Sequence, residues 1–144
     1  MGLKISSESI LFFDTAPFIY FFENNSRYVH KLSSLLDTLY TENAYITTSL
    51  ITYIEITTVP AKANDEKTLA KYRQFFTNSA RLSIQPMNLT VAEETVKFRA
   101  CYNLKTPDAI QLASASYCGA DYVITNDRDW QRVEELAVVL VDDL

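Results

Sequence analysis

The sequence has 144 residues, 48% of them apolar, and carries 18 Asp and Glu against 13 Lys and Arg, a net charge of -5. That length suits one compact domain over residues 1–144 with a core of its own. Only two glycines, one histidine and two cysteines occur, which excludes Gly-rich phosphate-cradling loops, closed Cys/His zinc sites and most histidine-dependent catalysis, and leaves carboxylates as the abundant reactive groups.

Residues 10–13 (ILFF) read as a short, fully apolar strand closed by Asp14. The run is too short for a signal-peptide core, and no stretch of about 18 apolar residues occurs, so a cytoplasmic protein without membrane contact is expected. Cys101 and Cys118 are expected to be reduced, buried thiols of such a protein. Thr15-Ala16-Pro17 opens a helix through Phe22, with Pro in its first turn. Ser26 is placed to cap a second helix that carries Val29, Leu32, Leu36 and Leu39 and ends near Asn43. Residues 44–47 form a second strand. Ser49 caps a helix through Ile51, Ile54 and Val59 to about Ala61, and Asn64 or Asp65 opens another with Leu69, Tyr72 and Phe76 on one face. Residues 82–85 alternate as an edge strand, after which Thr90 caps a helix that turns Val91, Val96 and Ala100 inward. Thr106-Pro107 starts a helix stopped by Gly119, residues 122–125 form a strand, 128–136 a short helix and 137–141 a last strand. Short apolar strands alternating with helices predict an α/β fold with a mostly parallel central sheet. In such sheets ligands bind beyond the carboxyl ends of the strands, where Asp14 and Asp127 both fall.

Charge placement is the most informative pattern. Asp14 is the only charge between Glu8 and Glu23, Glu55 the only one between Glu42 and Lys62, and Asp108 the only one between Lys105 and Asp121. Isolated carboxylates beside apolar segments are costly to desolvate unless something positive compensates them. Ordinary structural roles are open to most: Asp14 as a helix cap, Asp108 as the complement of a helix dipole, Asp127 as a turn residue. Glu55 lies beyond capping range of Ser49 and has no basic residue among Ile51, Thr52, Thr58 and Val59, so only a solvated helix face would account for it. Together the four suit a hard divalent cation: Mg²⁺ or Mn²⁺ held by carboxylates and water would relieve their repulsion and activate water against a phosphodiester.

Four segments then carry a family resemblance. Residues 11–20 (LFFDTAPFIY), 49–55 (SLITYIE), 104–115 (LKTPDAIQLASA) and 121–130 (DYVITNDRDW) follow one another in the order and spacing of the four motifs of the PIN-domain nucleases. The sequence resembles that family, and within it the small VapC-type toxins of toxin–antitoxin pairs. The resemblance implies a three-layer α/β/α sandwich and catalytic, metal-binding roles for Asp14, Glu55, Asp108 and Asp127. It also implies support from Thr15, Thr125, Asn126 and Asp129, dependence on Mg²⁺ or Mn²⁺, and endoribonuclease activity on RNA. A homodimer and a small antitoxin protein are the partners it implies. Lys105 and Arg128, each near a motif acid, are candidate phosphate contacts in a chain with few other cations about its motifs. The alternative from a different class is a catalytically weak PIN-like module that acts by binding a protein partner. Phe18, Tyr20, Phe21 and Phe22 form a run too continuous for one amphipathic face, so part of it is expected to be exposed and to serve as an interface, with the helix near Ser26 beside it.

Overall fold

The computed structural model describes residues 2–144. Its five strands are β1 (Ile10–Phe13), β2 (Tyr45–Ser49), β3 (Leu82–Gln85), β4 (Tyr122–Thr125) and β5 (Val138–Leu140). All neighbouring strands are parallel, in the order β3-β2-β1-β4-β5, with Leu11 opposite Ile46 on one side and Tyr122 on the other. Parallel pairing obliges the chain to cross back between strands, and helices do this. Between β1 and β2 lie α1 (Thr15–Phe22) and α2 (Val29–Thr41). Between β2 and β3 lie α3 (Leu50–Lys62) and α4 (Glu66–Asn78), and between β3 and β4 lie α5 (Leu89–Tyr102) and α6 (Thr106–Tyr117). A 3₁₀ segment, Arg128–Arg132, leads to β5 and a second, Val141–Asp143, follows it.

The middle strand β1 is an unbroken apolar run because both of its faces are covered. Its alternate residues point to opposite sides. Leu11 and Phe13 join a cluster with Phe18, Leu32, Leu39 and Phe76 of α1, α2 and α4. Phe12 joins a second cluster with Val91, Phe98, Ala109, Leu112 and Trp130. The result is the expected α/β/α sandwich.

Local details depart from the sequence reading where a neighbouring polar side chain competes. Asn25, not Ser26, organises the start of α2: its Oδ1 accepts from the Arg27 and Tyr28 amides, and the helix begins only at Val29. Asn88, not Thr90, caps α5 by accepting from the Val91 amide at 2.9 Å. α5 buries Val91, Thr95 and Phe98, which share one helical face, and leaves Val96 and Ala100 exposed. β2 runs on past Thr47 to Ser49, so its end abuts α3 directly. The helix expected over 128–136 stops at Arg132, because Val133 turns into the core with extended backbone, and the last strand shortens to Val138–Leu140. Cys101 is exposed and Cys118 half-buried, so neither is the fully buried thiol expected.

The α1 aromatics are also less open than expected. Phe18 is buried, and Tyr20, Phe21 and Phe22 are half-buried. Phe22 stacks on Tyr72 of α4 at 4.8 Å and meets Phe75 edge-on at 4.9 Å. Among the described residues, the large apolar side chains most open to solvent stand instead on α3 (Ile54, Val59) and α5 (Leu89, Val96). No helix among the described residues is long and apolar enough to cross a membrane.

Candidate active site

The carboxyl end of the sheet is where polar side chains accumulate. Asp14 follows β1 in extended conformation and caps α1, its Oδ1 accepting from the Thr15 amide at 2.7 Å. Its own amide donates to the Ile124 carbonyl, and its Oδ2 accepts from Thr125 Oγ1 at 2.7 Å, so Asp14 is clamped to the end of β4. Thr48 Oγ1 donates to the Phe13 carbonyl at 2.7 Å and ties β2 to the same point. On α3, one helix turn in from the Ser49 cap, Thr52 is fully buried beside Thr15 Oγ1 at 3.1 Å. Glu55, one turn further on, is exposed and accepts from Thr15 Oγ1 at 2.8 Å. Asp108 sits in the first turn of α6 after Pro107. Asp127 follows β4, its amide donating to Thr125 Oγ1 at 3.0 Å and its Oδ1 accepting from the Asp129 amide.

These four acids line one cleft of about 380 Å³, together with Thr15, Gln111, Asn126 and an apolar wall that includes Ile19, Tyr20, Ile51 and Pro107. No Lys, Arg or His is among the residues lining it. Burial pushes the Asp14 carboxyl up to about 6, against the hydrogen bonds from Thr125 and the Thr15 amide, and the charges of Glu55 and Asp108 push the same way. Asp108 is raised by burial and then by Asp127 and Glu55, with Lys105 opposing. As the side chains stand, no group of three acidic, His or Cys side chains among the described residues is gathered closely enough to hold a metal ion. The donor chemistry nevertheless fits a hard cation: carboxylates, hydroxyls and side-chain amides, two acids held above their ordinary pKa, and no basic side chain among the lining residues.

Of the other residues singled out in the sequence, Thr125 is buried against Asp14 and Asn126 lines the cleft. Asp129 is exposed and pairs with Arg132 through both carboxylate oxygens, at 2.8 and 3.1 Å. Lys105 is the residue before α6, close enough to act on Asp108. Arg128 is turned to Asp142 at 3.2 Å and does not line the cleft.

The sequence reading missed Gln111. It is 2% exposed, and its amide nitrogen donates to Asp14 Oδ1 at 3.1 Å and Thr52 Oγ1 at 2.9 Å while its carbonyl accepts from Ser49 Oγ. One side chain of α6 thus ties the ends of β1, β2 and α3 together. The spacing Asp108-x-x-Gln111 was the available signal, since it puts a polar residue one turn from a lone acid on an otherwise small, apolar face.

The PIN domain family profile matches residues 11–136. No curated protein matches the chain by sequence. Among solved structures, the fold is similar to VapBC2 from Rickettsia felis bound to a promoter DNA fragment, at 18% identity and TM-score 0.74, covering 91% of this chain and 98% of that one. It is similar to VapBC-1 from nontypeable Haemophilus influenzae at 19% identity and TM-score 0.72, covering 92% and 98%. It is also similar to a toxin–antitoxin complex from Klebsiella pneumoniae at 24% identity and TM-score 0.66, covering 93% and 99%. A profile match across most of the chain, on a five-stranded parallel sheet with acids at its carboxyl end, makes the chain a member of the PIN domain family.

Proposed function

We propose that this chain is a Mg²⁺- or Mn²⁺-dependent endoribonuclease and the toxin of a toxin–antitoxin pair. The observation that carries the reading is a single cleft lined by Asp14, Glu55, Asp108 and Asp127 with no basic side chain among its lining residues. Bound there, a divalent cation supplies activation of water and stabilisation of charge on a phosphodiester. Asp14, Glu55, Asp108 and Asp127 would hold it. Thr125 and Gln111 fix the two oxygens of Asp14 from opposite sides, and Thr15 orients Glu55. Thr125 also receives the Asp127 amide, so Asp14 and Asp127 are set by one hydroxyl. Ile19, Tyr20, Ile51 and Pro107 give the cleft one apolar wall. Lys105, whose charge acts on Asp108, is the candidate contact for a substrate phosphate.

The toxin assignment draws on membership of the PIN domain family and on the toxin–antitoxin complex and VapBC assemblies whose fold this chain shares. In this reading the partners are an RNA substrate, a second copy of the chain and a small antitoxin, in the cytoplasm. The test is cleavage of single-stranded RNA with Mg²⁺ or Mn²⁺, in EDTA, and by Asp14→Asn. Cleavage that requires the metal and is lost in the variant supports the reading. A protein inert in every metal yet purified with a bound protein partner points to the catalytically weak binding module instead.

A further inference from the structure

One wall of the cleft continues outward into a patch of different chemistry. Tyr20 lines the cleft, and its ring stacks on Tyr28 at 4.4 Å with only 24° between planes. Asn126, also in the cleft, donates to Tyr20 Oη at 3.4 Å and accepts from the Asp142 amide at 3.2 Å. Tyr28 in turn donates to Asp142 Oδ1 at 2.7 Å, and the Arg27 guanidinium lies over its ring at 5.3 Å. Arg128 meets the other oxygen of Asp142 at 3.2 Å. Tyr20 is therefore held on one side by a stacked ring and at its hydroxyl by an amide, and two guanidiniums stand beyond it.

Both arginines are open, with side chains 75% and 71% exposed, whereas Asp142 is only 20% exposed. With both guanidiniums in solvent the pairs are weak, and Asp142 keeps the Tyr28 hydroxyl, so either guanidinium can exchange its carboxylate for a phosphate at little cost. The Lys31 ammonium, bound to the Asp142 carbonyl at 2.7 Å, adds a third cation, which Asp142 and Asp143 partly offset. An ordered aromatic ring followed by cations along one path is the pairing by which single strands are held without base-pairing.

Resting on the ribonuclease reading, we propose that Tyr20 with Arg27 and Arg128 forms the subsite for single-stranded RNA flanking the cleft. Tyr20 stacks a base beside the scissile phosphate, and the two arginines take the next phosphates. The path also gives Arg128 the phosphate role that its distance from the cleft denies it at the acids themselves.

The test is equilibrium binding of a fluorescent single-stranded RNA ten-mer to the Asp14→Asn protein in Mg²⁺, titrated with KCl, alone and with Arg27→Ala/Arg128→Ala or Tyr20→Leu added. The double arginine variant is expected to make the slope of log affinity against log salt shallower by about 1.4, two phosphates at about 0.7 each. Tyr20→Leu, which keeps bulk against Tyr28, is expected to weaken binding about 5- to 100-fold with the slope unchanged. Affinity and slope unaffected by both sets of substitutions overturn the subsite. Because binding is read without turnover, failure of the nuclease reading shows separately, as wild-type protein that leaves the same ten-mer intact in Mn²⁺.

Discussion

The two helical layers are built from different materials. The layer of α1, α2 and α4 packs with large rings: Phe18 alone lies within about 6 Å of Phe13, Phe22, Phe75 and Phe76. In the layer of α5 and α6, Phe98 and Trp130 are buried, but α6 itself meets the sheet mainly with small side chains, and its five residues from Gln111 to Ala115 are all buried. Rings fill space tolerantly and stabilise through area. Small residues let α6 come close to the sheet, and that proximity delivers Gln111 to Asp14 and Asp108 to the cleft. One layer supplies stability and the other supplies position.

The sharpest break of that division is Phe18→Ala, expected to lose about 3–5 kcal/mol in urea unfolding, because the vacated space is walled by rings that cannot all collapse. A loss below about 1 kcal/mol would show the aromatic layer to be loosely packed. Gln111→Leu on the other layer is expected to lose less, about 1–3 kcal/mol, from the Ser49 hydroxyl and the Asp14 oxygen that each lose a partner. It is also expected to weaken Mn²⁺ binding, read by electron paramagnetic resonance, which Phe75→Leu is not expected to do. Equal Mn²⁺ affinities would reduce Gln111 to packing.

Asp14→Asn is expected to act in the opposite direction. The Asp14 carboxyl is raised from its ordinary 3.8 to about 6, so between about pH 4 and pH 6 the folded state binds more protons than the unfolded state and stability falls as pH rises. Above that window the penalty is fully present. The variant is therefore expected to be about 3 kcal/mol more stable than wild type at pH 7.5 in EDTA and level with it near pH 4, measured by thermal unfolding. A variant less stable at pH 7.5 would mean that the hydrogen bonds to the carboxylate outweigh its burial. The smallest effect is expected from Arg132→Ala, which removes an exposed pair with Asp129 in neither layer: less than about 1 kcal/mol.

Much of the architecture was legible because hydrophobic runs and breakers act locally. The strands at residues 10–13 and 122–125 lie where their apolar runs put them and that at 82–85 where its alternation does, and the Pro107 start of α6 follows from the geometry of proline itself. Cap identity was not legible where two candidates stood within two residues. Asn25 and Asn88 win over Ser26 and Thr90 through hydrogen bonds set by the path of the incoming chain. In the cleft, Asp14, Glu55 and Asp108 stood out because a charge in an apolar stretch is conspicuous. Gln111 and Thr52 did not, since an uncharged polar residue on a helix reads as surface until tertiary contacts bury it. The pairings of Arg128 with Asp142 and of Asp129 with Arg132 likewise depend on side-chain rotamers that no local pattern encodes.

The strand order carries a consequence for the timing of synthesis. β1 pairs with β4 across more than a hundred residues, Leu11 opposite Tyr122 and Phe13 opposite Ile124, and β4 brings both Thr125 and Asp127. Contacts so distant along the chain form late, because the intervening loop must close before they repay its entropy. A nascent chain that has released β1, β2 and three or four helices still holds Asp14 without its clamp and the cleft without one wall. Until β4 is free to pair, the emerging chain therefore carries no assembled acidic cleft.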